Sequence, residues 1–166
     1  MSDHLSREDS IEHIAKIIKD IKYAMLTTTN AEGHLHSRPM TTQQQEFDGA
    51  LWFIGSRHSA TADDIRRQPE VNVGYSDAGK GDYVSLSGRA ELVEDRAKLE
   101  ELWSETNKAW FEGGIDDPEV QLIRIEAHGA EFWESNGRVR TLFQLARAAL
   151  TGKTAEDVSK NETVKL

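Results

Sequence analysis

Within residues 23–61, hydroxyl side chains, a glycine and two arginines gather at two points. The first is Ser37-Arg38-Pro39-Met40-Thr41-Thr42. The second is Trp52-Phe53-Ile54-Gly55-Ser56-Arg57-His58-Ser59-Ala60-Thr61, where an apolar run gives way to a helix-starting sequence. Together they have the makings of an anion site. Backbone N–H groups at a helix start, hydroxyls and a guanidinium are what hold a phosphate. The same composition also describes a half-buried hairpin followed by a capped helix. In that reading Arg38 is an ordinary edge-strand charge, and Ser59 and Thr61 serve only as caps.

Other chemistries find less support. The chain has no cysteine, so disulfides, thiolate catalysis and iron–sulfur ligation are excluded. His34 and His36 could share a strand face, but no third ligand lies at convincing spacing, and no metal site is expected. Asp63-Asp64 and Asp116-Asp117 are adjacent pairs and do not converge on one substrate atom. Ser87-Gly88 lacks the setting of a nucleophile elbow. Gly79-Lys80-Gly81-Asp82 lacks Walker spacing. The sequence order yields no hydrolytic triad, and no catalytic residue is assigned. A formal net charge of −9 argues against broad nucleic-acid binding, so a site for an anion must focus positive charge locally. The polar start of the chain does not read as a signal peptide, and no apolar run approaches a membrane span. A soluble cytoplasmic protein is expected.

The elements that must position these residues follow from pattern. Ser6 and Asp9 form a capping box, and Ile11, Ile14, Ile17, Ile18 and Ile21 recur at helical spacing, which predicts a helix over 7–20. Strands are expected at 23–29, 34–44, 50–55, 70–76 and 83–94, with Pro39 demanding an edge or an irregularity and Gly88 marking a bulge or a sharp bend. A short helix should start at Thr61 and Asp64 and end before Pro69. Asp95 should cap another carrying Leu99, Leu102 and Trp103. Residues 110–118 read as loop, 120–126 and 130–134 as two strands, and 138–150 as a helix. Residues 151–166 are expected to be a loose polar tail to a single domain over 1–150. Hairpin signals without a recurring βαβ unit favour a mainly β fold with flanking helices, about six antiparallel strands in a small barrel.

The order of pieces resembles the flavin-binding split-barrel superfamily that includes pyridoxamine-phosphate oxidase, and within it the bacterial general-stress-protein branch. The likeness runs over residues 10–135. It rests on Met25-Leu26-Thr27-Thr28, Ser37-Arg38-Pro39-Met40, Leu51-Trp52-Phe53, Ala62-Asp63-Asp64-Ile65, Val71-Asn72-Val73 and Val84-Ser85-Leu86-Ser87-Gly88-Arg89-Ala90. Its most telling piece is Trp110-Phe111-x-Gly113-Gly114-x-Asp116-Asp117-Pro118, ahead of Phe132-Trp133. The resemblance implies a six-stranded Greek-key split barrel and a homodimer with flavin at the subunit interface. FMN is the usual cofactor, and FAD is an alternative. It implies that Arg38 reaches the phosphate or ribityl chain. Pro39, Met40 and Thr41 would offer backbone groups to the ring edge, and Gly55 and Ser56 would close over it. Ser59 and Thr61 would hold the phosphate, Tyr83 or Ser85 would add a ring contact, and Trp110 would come from the partner subunit. Many members carry lysine where this chain has Thr61, and Arg57 could compensate for that lost charge. The function so implied is a flavin-dependent oxidoreductase acting on an unidentified small molecule. The alternative is a stress protein that binds or sequesters flavin without turnover.

Overall fold

The computed structural model describes residues 6–43, 45–135 and 159–166. The elements are α1 (Arg7–Ile18), β1 (Tyr23–Thr29), β2 (Leu35–Thr41), β3 (Ala50–Ser56), α2 (Ala60–Arg67), β4 (Glu70–Asp77), β5 (Asp82–Val93), α3 (Arg96–Leu102), β6 (Val120–Ser135) and β7 (Ser159–Lys165). Two 3-10 turns, Glu105–Ala109 and Gly114–Asp116, lie between α3 and β6. The strand order is β2-β1-β4-β5-β6-β3, with β7 alongside β6, and the pairings are antiparallel. The two ends of that path, β2 and β3, face one another across a seam with no ladder between them. This is a split barrel, mainly β with flanking helices.

The core follows from alternation. Leu26, Phe53, Val73, Val84, Leu86, Ile125 and Phe132 point inward and are almost wholly buried. The helical spacing of α1 lays Ile14, Ile17 and Ile18 into the same cluster. Each such side chain contributes roughly 1.5–3 kcal/mol on leaving water. Ser6 caps α1 by accepting from the Asp9 N–H at 3.1 Å, as the capping box predicts. Pro39 lies on β2, at one end of the strand order, where a missing N–H costs no central ladder bond. The β5–β6 register shifts at Ser87/Gly88, the bulge expected there. A Cβ on Gly88 would stand 2.5 Å from the Glu126 carbonyl oxygen, so the close approach of the two backbones requires glycine.

Several expectations change. The sheet has seven strands rather than six. β6 is one strand of 16 residues, not two pieces. Its start, Val120 to Ile123, is buried at every position rather than alternating, because α3 and the loop after it cover the outer face. Residues 159–165, expected to be loose, pair with the far half of β6 from Ser135↔Ser159 to Gly129↔Lys165. The second strand is shorter than 34–44. The cap of α2 is Ser59, whose hydroxyl accepts from the Ala62 N–H at 3.2 Å, and Thr61 lies inside the helix. The helix expected over 138–150 lies outside the described residues. Among the described residues no helix is long and apolar enough to cross a membrane.

Candidate functional site

The seam opens into a cleft of about 240 Å³. One wall is the end of β2, with Pro39, Met40 and Thr41. The other is the end of β3 and the start of α2, with Ile54, Gly55, Ser56, Ser59 and Thr61. Trp110, Phe111 and Asn107 close it from the loop after α3. Strand alternation explains the walls. Pro39 and Thr41 are exposed, while Met40 turns inward and packs on the core. A Cβ on Gly55 would sit 3.4 Å from Ile123 Cδ1 and 3.9 Å from Met40 Cε, so any side chain there would fill the floor.

Eight of the twelve residues singled out from sequence meet in this cleft: Pro39, Met40, Thr41, Gly55, Ser56, Ser59, Thr61 and Trp110. Trp110 is on the rim of its own chain's cleft and remains 82% exposed. Four residues lie elsewhere. Arg38 turns toward α2 and donates to Thr28 Oγ1 at 2.6 Å, with Asp64 Oδ2 at 3.6 Å. Burial lowers its pKa, and the neighbouring Asp64 carboxylate opposes that shift. Asp64, itself buried, also accepts from Thr28 at 2.7 Å, so the three residues tie β1, β2 and α2 together. Arg57 turns to the opposite side and grips Glu94 with both terminal nitrogens, at 2.6 and 3.1 Å. That hydrogen bond raises the Arg57 pKa and holds the Glu94 carboxyl below its ordinary range. Tyr83 and Ser85 are on β5. The register Pro39↔Met25↔Gly74↔Ser85 puts Ser85 three strands from the cleft wall, about 14 Å at the usual spacing.

The sequence reading missed Gln43, Ile54, Asn107, Phe111 and Ile123, which complete the lining. Asn107 matters most. Its side-chain nitrogen is buried and has no hydrogen-bond partner among the described residues. An unsatisfied buried donor costs about 1–3 kcal/mol. No pattern announces Asn107, because it lies in a 3-10 turn. Phe111 could have been read from its pairing with Trp110.

The α2 end of the cleft carries its own electrostatics. Ser56 Oγ donates to Glu119 Oε2 at 2.9 Å, and His58 Nδ1 lies 2.6 Å from Glu119 Oε1. The His58 contact and then the Ser56 contact hold the Glu119 carboxyl below its ordinary range. The first N–H groups of α2 lack intrahelical partners, apart from that of Ala62, which Ser59 caps. The lining suits a flat aromatic ring: apolar side chains on the floor, strand-edge backbone on one side, an indole on the rim and one unpaired amide donor. At the helix end a phosphate would meet hydroxyl and N–H donors.

A mainly β split barrel with a cleft at its seam is the class of fold that the chain presents. The sequence profile described as pyridoxamine 5'-phosphate oxidase like matches residues 9–156, and the chain belongs to that family. A solved structure described as a general stress protein 26 from Jannaschia sp. is 31% identical with a TM-score of 0.77, over 95% of this chain and 99% of its own. The general stress FMN/FAD binding protein of Xanthomonas citri is 30% identical with a TM-score of 0.65, over 74% of this chain and 87% of its own. Protein bli-3 of Neurospora crassa is 29% identical over 89% of this chain and 76% of its own length. The chain thus stands with the general-stress members of the family.

Proposed function

We propose that the chain is a flavin-binding protein that holds FMN, or a related flavin, in the seam cleft and works as a flavin-dependent oxidoreductase. The observation that carries this reading is the cleft itself: an apolar floor cleared by Gly55, the unpaired Asn107 amide and the exposed Trp110 indole on the rim. A bound flavin supplies hydride and electron transfer, so the chain needs no acid, base or nucleophile of its own there. Its residues would bind and orient it: β2 backbone, Met40, Ile54 and Ile123 would line the ring's site, and Phe111 and Trp110 would exclude water.

A homodimer is part of the same proposal. At about 240 Å³ the cleft is smaller than the roughly 300–1,000 Å³ of typical ligand sites, which supports a second surface completing it. The exposed face of β1 and β5 carries Tyr23, Met25 and Tyr83, all of them large and more than two-fifths exposed. A two-fold axis that laid this face against the partner's seam would bring Tyr83 and Ser85 to a cleft they cannot reach within one chain.

Identifying the chromophore released from purified protein tests the reading first. Titration by flavin fluorescence tests it next. Wild type should bind and quench flavin, while Trp110→Ala should lose most of the quenching and bind about tenfold more weakly. A colourless protein that ignores added flavin would reject the proposal. Reduction kinetics with NADH or NADPH separate turnover from the alternative, binding or sequestering flavin without turnover.

A further inference from the structure

The flavin reading of the cleft leaves open what end of the ligand the chain recognises, and the charges around α2 decide it. Resting on that reading, we propose that the cleft selects flavins through their ring and uncharged chain and barely distinguishes riboflavin from FMN, because a carboxylate stands at the end where a phosphate would lie.

Among the described residues every arginine around α2 is already held. Arg57 spends its nitrogens on both Glu94 oxygens and on the carbonyls of Pro118 and Val120. Arg38 is drawn to Thr28 and Asp64. Arg66 donates to Asp63 and to the Arg57 carbonyl, and Arg67 stands 3.6 Å from Asp64. Among the described residues the cleft lining is wholly uncharged.

A carboxylate adjoins the cleft wall, with the His58 imidazole on its other oxygen. Ser56 is part of the cleft wall, and its hydroxyl proton is given to Glu119 at 2.9 Å. The start of α2 offsets this only in part. A helix N-terminus acts as roughly half a positive charge, against the whole negative charge of an ionised carboxylate. The corner therefore does not favour a phosphate dianion, and its fixed field repels one at low salt. The remaining donors are neutral: the Thr61 hydroxyl and the first α2 N–H groups. Neutral donors pair with the hydroxyls and carbonyls that riboflavin and FMN share. A phosphate gains only ordinary hydrogen bonds here, without the extra strength that a cationic donor gives.

The test is a titration of flavin-free protein with riboflavin and with FMN, followed by flavin fluorescence at pH 8 and at low and moderate salt. FMN should bind no more than about fivefold tighter than riboflavin. Glu119→Gln should shift the ratio toward FMN by about threefold or more at low salt and less at moderate salt, where the charge is screened. Thr61→Lys, which leaves the Glu119 contacts intact, should likewise shift the ratio toward FMN. A wild-type preference for FMN above fivefold would overturn the proposal and show that a cation reaches the phosphate from elsewhere, such as the partner subunit. An unchanged ratio in both variants would also overturn it. If neither flavin binds, the flavin reading of the cleft fails, and this proposal falls with it.

Discussion

The seam between β2 and β3 and the β5–β6 ribbon are parts of one sheet built to opposite rules. Along β5–β6 the strands pair from Tyr83↔Trp133 to Val93↔Leu122, and their inward side chains are almost wholly buried. At the seam there is no ladder, Leu35 of β2 is 74% exposed, and Gly55 leaves the floor open. Both regions use a glycine for opposite ends. Gly88 lets two backbones touch, whereas Gly55 keeps a gap from being filled. The lesson is a division of labour: stability is concentrated where strands pair, so the unpaired side is free to be a cleft.

The largest effect should come from the ribbon. Phe132 is 1% exposed and lies 4.9 Å, centroid to centroid, from the His13 ring of α1. Phe132→Ala should cost about 4 kcal/mol in denaturant unfolding. A loss under about 1 kcal/mol would mean that the ribbon is not the stable half.

The two glycines give a sharper contrast. Gly88→Ala drives a Cβ to 2.5 Å from the Glu126 oxygen and should cost about 3 kcal/mol. Gly55→Ala places its Cβ at an ordinary 3.4 Å from Ile123 and should change stability by less than about 0.5 kcal/mol. The same Gly55→Ala change should still weaken ligand binding, because the new methyl stands on the cleft floor. Equal stability losses in the two variants would erase the distinction drawn above.

The smallest effect concerns charge at the seam's outer side. The folded pKa of Glu94 is depressed by Arg57. Its stabilisation is therefore present above the ordinary carboxylate range and fades as pH falls through the lowered value. The pair is largely exposed, so no more than about 0.5 kcal/mol is expected. Melting temperatures of wild type and Glu94→Gln should differ slightly at pH 7 and converge in acid. A gap that widens on acidification would contradict the sign.

Much of the scaffold could be read in the residues themselves. Threonine-rich β1, the bulge at Gly88, the edge position of Pro39 and the Asp95 cap of α3 follow from local rules, and they appear in the structure. Local rules failed where the deciding partner is distant. Ala127-His128-Gly129 looks like a break in β6, yet the register shift at Ser87/Gly88 carries the strand through it. β7 is mostly polar, and its ladder is made by backbone groups that composition does not reveal. Asp64 reads as a helix-start residue but is buried against Thr28, 36 positions earlier. The arginines show the same limit. Their types point to an anion, but Arg57 meets Glu94, 37 positions away, and which way it turns is a property of the folded surface.

The pairing of β7 has a consequence for solubility. β6 is long enough that β3 covers only its first half, from Val120 to Glu126. Without β7, the stretch from Gly129 to Ser135 would present a row of unpaired N–H and C=O groups, flanked by the apolar Ala130 and Phe132. Such an edge is a template for pairing with another chain and so a seed for aggregation. β7 occupies it, and Val164 seals the inner face beneath. The last strand thus acts as a guard on the sheet, and shortening the chain before Ser159 would leave a protein that self-associates through its own β6.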